Sequence, residues 1–251
     1  MPPSPFNELL FLGFLILDMT MVVVVYRVFG REGLFGYVVL AIIACNIEVL
    51  KLVQMFGMTV TLGNILYGSL FLTSDILVEL YGKREAQRAV WLGFSGLVLI
   101  TVFMQLALLF RPAPIDSAQP HLAAIFGFLP RIAVASLTAY VLSQLTDVAI
   151  FWAIKQWMRD KALWVRNNVS TLFSQGLDTV TFTVLAFAPM PLIGRVPGFE
   201  NWQTIWQVAW TTYVIKFIVS VLDTPFVYWA RLVGWRVYGL QPTRATGSRV
   251  F

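Results

Sequence analysis

Apolar residues fall in seven blocks along the chain, at about 8–26, 34–54, 59–82, 89–110, 131–154, 168–188 and 205–230. Each is close to the roughly 20 residues that a helix needs to cross the hydrocarbon of a bilayer. Short breaks rich in Gly, Pro, Lys and Arg separate the blocks. The pattern predicts an all-α integral membrane protein, a polytopic bundle of about seven transmembrane helices. Six spans are the alternative, and they would put basic loops on both sides of the membrane. The longest connection, 111–130, carries Pro112, Pro114, Pro120 and Asp116, which break a helix. Its end, from His121 to Leu129, is apolar enough to lie on or dip into the membrane.

Charge sharpens this picture. The chain has 251 residues, 58% hydrophobic and 12% charged, with mean hydropathy +0.75. A soluble domain carries roughly 25% charged residues. Thirteen of the 18 Lys and Arg fall in the breaks at 27–31, 83–88 and 155–166 or beyond residue 230. Four, Lys51, Arg111, Arg131 and Arg195, fall on the opposite side, and Lys216 lies inside a span. This bias puts the N-terminus outside and the C-terminus in the cytoplasm. The net charge of +5 then reflects basic loops and calls for no nucleic-acid partner. Asp18 interrupts the first block and no small-residue cleavage site ends it, so it reads as a retained helix. The one cysteine, Cys45, excludes an internal disulfide. Residues 1–240 read as a single transmembrane domain, and 241–251 as a cytoplasmic tail expected to be disordered.

The spans carry polar residues that need a reason. An ionised group near the bilayer centre costs roughly 2.5–3.5 kcal/mol on insertion scales, so such groups face the bundle interior. Asp75 and Glu79 stack on one helical face, which Tyr67 and Phe71 continue. Asp75, Asp147 and Asp223 each lie eight residues before a basic residue, Lys83, Lys155 and Arg231. That is about 12 Å of depth on three spans running the same way. Asp178 lies roughly 18 Å past Arg166, so the four acids are expected around one polar site. A short repeat links two of them: Ser143-Gln144-x-x-Asp147-x-x-x-Phe151 recurs as Ser174-Gln175-x-x-Asp178-x-x-x-Phe182. On antiparallel spans the two copies face each other as pseudo-symmetric walls, a relation common in transporters. Lys216 shares a face with Ser220 and Asp223, and is expected to neutralise an acid, Asp223 being the nearest along the helix. Pro225 frees the carbonyl of Val221.

Enzymatic readings fit less well. Gly93-Phe94-Ser95-Gly96 matches the Gly-x-Ser-Gly of intramembrane serine proteases, but the only histidine, His121, lies in the opposite loop. Gln175-Gly176-Leu177-Asp178 lacks the first glycine of an aspartyl intramembrane protease. One His and one Cys cannot build a metal centre, and no cofactor is expected.

Longer motifs point elsewhere. Asp75-Ile-Leu-Val-Glu79-Leu-Tyr81-Gly82-Lys83-Arg84-x-Ala86 and Gly93-Phe94 resemble the signature of the queuosine precursor transporter family, once grouped as putative vitamin uptake transporters. So do Leu163-Trp164-Val165-Arg166-Asn167-Asn168-x-Ser170, the Ser174-to-Thr179 motif, and Pro130-Arg131-Ile132 leading to Ala135-Ser136. The resemblance covers roughly residues 60 to 230. The chain departs from it at Ala188-Pro189-Met190-Pro191, where a glycine is expected. The resemblance implies a multi-pass protein of the bacterial inner membrane that imports cyano- and aminomethyl-deazaguanine bases. A substrate-binding subunit of an ATP-driven importer is the first alternative, and a membrane enzyme using paired Asp the second. A coupling ion or proton, and assembly into a homo-oligomer, stay open at this point.

The expected translocation residues are Asp75, Glu79, Gln144, Asp147, Gln175, Asp178, Lys216 and Asp223, with Arg131 and Asn168 from the motifs. Tyr67, Phe71, Tyr140, Phe151 and Phe182 are candidates to stack on a flat ring, at about 1–3 kcal/mol per base. A guanine-like edge presents an N–H and an amino group side by side. Asp178, with Asp147 beside it, is expected to accept both, because hydrogen bonds to a charged acceptor are roughly twice as strong as neutral ones.

Overall fold

The computed structural model describes residues 5–49, 51–55, 58–126, 130–159, 161–187 and 202–241. Helix α1, Pro5–Glu48, is two membrane-length arms joined at Gly30. Gly30 has φ 63 and ψ −144, a left-handed conformation that glycine adopts without strain. The chain reverses there. The Tyr37 hydroxyl donates to the Asp18 carboxylate, nineteen residues away. On one straight helix those residues would stand about 28 Å apart.

The next segment differs from the sequence expectation. Helices were expected over 34–54 and 59–82, but strands β1 (Leu52–Met55) and β2 (Met58–Thr61) form an antiparallel hairpin between them. Val53, Thr59, Val60 and Thr61 are β-branched and stiff at χ1, which favours a pleated strand over a helix. Helix α2 therefore begins only at Asn64 and runs to Tyr81, about 27 Å in length. Helices α3 (Lys83–Leu109), α4 (Gln119–Phe126), α5 (Pro130–Trp157), α6 (Leu163–Phe187) and α7 (Trp202–Tyr238) follow. The short α4 occupies the proline-rich connection. The departure at 188–191 and the tail from 242 onward lie outside the described residues.

Helix α2 is the axis of the bundle. Every residue from Gly68 to Leu80 is buried, and α1, α3, α5 and α7 pack against it. At Gly68 an added Cβ would run into Val219 Cγ1, so the missing side chain is what lets α2 and α7 approach. Helices α5 and α6 form the most extensive pair, and α7 closes against α6. Outward faces are apolar: Leu9 is 70% exposed, Phe103 59% and Trp210 66%. Single exposed hydrophobics are normal, but whole exposed apolar faces on membrane-length helices mark contact with lipid. Among the described residues, Phe6–Glu48, Lys83–Leu109, Val134–Trp157 and Ile205–Tyr238 are long and apolar enough to cross a membrane. With the two arms of α1 counted separately, the described residues hold seven helices of 18 residues or more, and the protein is an all-α multi-pass membrane protein.

Candidate functional site

The polar residues lie buried along the axis between α2, α5, α6 and α7, and the α5–α6 pair sets its register. The Ser174 hydroxyl donates to Asp147 Oδ1 at 2.9 Å, and the Ser143 hydroxyl to Asp178 Oδ1 at 3.2 Å. Each copy of the Ser-Gln-x-x-Asp repeat thus bonds the aspartate of the other. Antiparallel helices aligned this way place four-residue steps opposite one another, so polar groups from four helices collect in layers.

The first layer centres on Asp178. Its Oδ1 accepts from the Tyr67 and Ser143 hydroxyls, and its Oδ2 from Lys216 Nζ at 2.5 Å. The Lys216 ammonium also sits 4.3 Å from the centre of the Tyr67 ring, a cation–π contact. Phe71, the next residue of that stripe, packs edge-on against Tyr67 at 5.6 Å.

The middle layer holds three acids. Asp75, Asp147 and Asp223 are all fully buried. The three carboxyl groups are close enough to act on one another electrostatically. Asn167 Nδ2 donates to Asp223 Oδ1 at 2.7 Å. No donor reaches either oxygen of Asp75, Oδ2 of Asp147 or Oδ2 of Asp223 among the described residues. Gln144 and Gln175 are also buried, with Gln144 Nε2 and Gln175 Oε1 unpartnered.

The third layer is a cationic clamp on Glu79. Its Oε2 accepts from Lys155 Nζ at 2.9 Å and Arg166 at 2.5 Å, and Arg231 stands 3.8 Å from Oε1. Lys155 also donates to the backbone carbonyl of Glu79, and Arg166 to that of Lys161. The Arg166 guanidinium lies 5.4 Å from the centre of the Phe151 ring. Four helices are tied together at this one carboxylate.

Several expectations change. The acids fall into three groups: Asp178 pairs with Lys216, Glu79 is held by Lys155 and Arg166, and Asp75, Asp147 and Asp223 act on one another. Lys216 pairs with Asp178, not Asp223, because Asp223 is two turns further along the same helix while Asp178 faces Lys216 across from α6. Tyr140 is buried in helix packing, where an added Cβ on Gly93 would strike its hydroxyl, and it does not face the acids. Phe151 lies under Arg166, in the clamp. Asn168 ties α6 to α7 by donating to Thr224 Oγ1 at 2.8 Å. Phe182 lies one turn beyond Asp178 on α6 and is half-buried. Arg131 lies in the first turn of α5, and its side chain is outside the described residues. Sequence reasoning missed Lys155 and Arg166 as core residues, since basic residues at span ends read as loop charges. It also missed Asn167. The signal for Lys155 was its place on the Asp147–Phe151 stripe.

This arrangement is a polar core in a lipid-facing bundle, and comparisons with known proteins agree with it. Residues 61–230 match the sequence model of a family described as putative vitamin uptake transporter. The chain is 43% identical to the "probable queuosine precursor transporter" of Bacillus subtilis (strain 168), over 90% of this chain and 95% of that protein. It is 28% identical to the "queuosine precursor transporter" of Escherichia coli (strain K12), over 73% of this chain and 77% of the relative. A "probable queuosine precursor transporter" of Haemophilus influenzae is 25% identical, over 66% of each chain. No solved structure matches the chain. The matched stretch runs from the end of β2 into α7 and contains every residue of the polar core but Arg231, so the chain belongs to the putative vitamin uptake transporter family.

Proposed function

We propose that this protein imports queuosine precursors, deazaguanine bases, across the bacterial inner membrane, with its N-terminus outside and its C-terminus in the cytoplasm. The printed names of its relatives support the substrate class. One structural observation carries the reading at the level of residues. Between the Asp178 layer and the Asp75 layer, α5 and α6 present buried groups that lack partners: a donor at Gln144 Nε2, and acceptors at Gln175 Oε1 and Asp147 Oδ2. A guanine-like edge offers one carbonyl acceptor followed by two donors, the complement of that set. Asp178 is the poorer acceptor, because Tyr67, Ser143 and Lys216 already occupy both its oxygens. Asp147 with Gln175 therefore receives the donors, and Gln144 the carbonyl. Tyr67 and Phe71 supply the aromatic wall.

The test is uptake of labelled base, well below saturation, by cells unable to make queuosine. Leucine at Gln144 or Gln175 keeps the approximate shape and removes the amide. A base left with an unpaired buried group loses about 1–3 kcal/mol, roughly tenfold or more in affinity. Gln144→Leu and Gln175→Leu should each lose at least that much uptake at normal protein level. Ser95→Ala is the control, on an exposed face of α3, and should be neutral. Wild-type uptake in both Gln variants would refute the site.

A further inference from the structure

One cation of the Glu79 clamp is only partly used. Lys155 and Arg166 are fully buried and reach Glu79 Oε2 at 2.9 and 2.5 Å. Arg231 stands 3.8 Å from Oε1, beyond hydrogen-bond distance, and its side chain is 37% exposed. Among the described residues its guanidinium makes no hydrogen bond. An arginine that merely snorkels lays its stem on apolar surface and its head in water. Arg231 instead lines a cavity of about 490 Å³ with Tyr228, Leu232, Trp235, Leu240 and Gln241. That volume falls within the roughly 300–1,000 Å³ of small-molecule sites, which share its mix of apolar walls and a few polar groups.

The end of α7 builds this cavity. Gly239 has φ 64, the left-handed glycine that commonly ends a helix. The Leu240 N–H then returns to the Gly234 carbonyl at 3.0 Å, so Leu240 and Gln241 fold back toward the last turns of α7. The Tyr238 hydroxyl donates to the Arg27 carbonyl at 2.9 Å and holds this end of α7 at the turn between the arms of α1. In the orientation proposed above, that is the inner surface of the membrane. An apolar track leads to the cavity from the bilayer. Ile218, Val221, Pro225, Tyr228, Leu232 and Trp235 recur every three or four residues and are all exposed. They form one stripe about 26 Å long on the helix surface.

We infer that this cavity holds the headgroup of an anionic phospholipid, with its phosphate on Arg231 and an acyl chain along the α7 stripe. The planar guanidinium fork suits phosphate oxygens, which accept its N–H groups in pairs. The Gln241 amide and the Tyr228 hydroxyl line the same cavity and supply further donors. Trp235 and Tyr228 are the amphipathic rings found at headgroup level. A free phosphate would use the same donors but leave the stripe empty. Because the same guanidinium faces Glu79, the lipid is joined to the carboxylate on which α2, α5 and α6 meet.

The experiment is native mass spectrometry of the purified full-length protein in mild detergent, with phosphatidylglycerol, phosphatidylcholine or inorganic phosphate added. Wild type should retain phosphatidylglycerol in preference to phosphatidylcholine, and excess phosphate should not displace it. Arg231→Gln should lower that retention about fivefold, the factor for one cation at an anionic lipid surface. Arg236→Gln removes an equal charge from the last turns of α7 but does not line the cavity, and should keep wild-type retention. Gln241→Glu keeps the side-chain shape at an exposed residue and sets a carboxylate on the cavity wall. It should lower retention as far, and it decides the matter where Arg231→Gln does not fold. Equal retention of the two lipids by wild type overturns the inference. So does displacement by phosphate, which would make this a site for the free anion. A loss in Arg236→Gln as large as in Arg231→Gln overturns it too, since it would show general attraction to a basic surface. Unchanged retention in Gln241→Glu or in folded Arg231→Gln has the same consequence. Failure of the Gln144 and Gln175 uptake test leaves the lipid site standing, since the two share no residue.

Discussion

Lys216 and Asp178 offer the sharpest test of the layered core, because the helix sequence favours a different partner. Their charged atoms are 2.5 Å apart and the side chains are 9% and 5% exposed. Removing one member of a buried pair leaves the other charge uncompensated, at about 3–5 kcal/mol. Lys216→Met should fall at the lower end, since Asp178 keeps the Tyr67 and Ser143 hydroxyls. Asp178→Asn leaves the ammonium with the Tyr67 ring, worth about 2 kcal/mol when desolvated, so it too should stay near 3. With both charges gone, neither penalty remains, and replacing a buried pair by neutral groups is often close to harmless. The double variant should therefore be milder than the sum of the singles by about 3 kcal/mol, at the top of the range for residues in contact. The assay is thermal unfolding of the purified protein in mild detergent. At roughly 2–4 °C per kcal/mol, each single variant should melt about 6–12 °C lower. A parallel cycle on Lys216 and Asp223 should be additive. Additivity at Lys216–Asp178, or strong coupling at Lys216–Asp223, would show that the acids are arranged differently.

Other expectations follow from the same geometry. Glu79→Gln leaves Lys155 and Arg166, both fully buried, without their anion, and should cost about 3–5 kcal/mol; unchanged yield of monodisperse protein on size exclusion would contradict the clamp. Gly68→Ala drives a methyl into Val219 and should destabilise by about 1–3 kcal/mol, with Val219→Ala restoring most of it. Failure of that rescue in a melting assay would show that α2 and α7 do not meet there. Reporter fusions at Asn7 and after Gln241 should place the first outside and the second in the cytoplasm, and a tail on the outer side would overturn the orientation.

Much of the core was legible because helical periodicity is local. Tyr67, Phe71, Asp75 and Glu79 share a stripe by spacing alone, and all four line the axis. The matched depths of Asp75, Asp147 and Asp223 correctly brought three helices to one level. The β-hairpin was not legible by hydropathy, since Leu52–Thr61 is as apolar as the helices that flank it, and only its β-branched residues hint at strand. Pairing between helices was the larger loss. Lys216 sees Asp223 in its own sequence neighbourhood, but seven residues span about 10 Å along the axis. Its actual partner comes from a neighbouring helix, and no single-helix pattern records that.

The repeat, however, contained more than a similarity. Two copies of Ser-Gln-x-x-Asp on antiparallel helices can align so that the serine of each meets the aspartate of the other, and this fixes the register of α5 against α6. From the Asp147–Ser174 contact, two further turns along α5 reach Lys155, and two turns back along α6 reach Arg166. Both end on Glu79. The same register that pairs the repeats thus draws two residues counted as loop charges into the core. Without them the basic residues still divide eleven to four, so orientation does not depend on Lys155 and Arg166. Their role is instead to hold α5 and α6 on the carboxylate of α2. The middle layer of acids then sits between the Lys216–Asp178 pair on one side and, on the other, the Glu79 clamp with its surplus of cations.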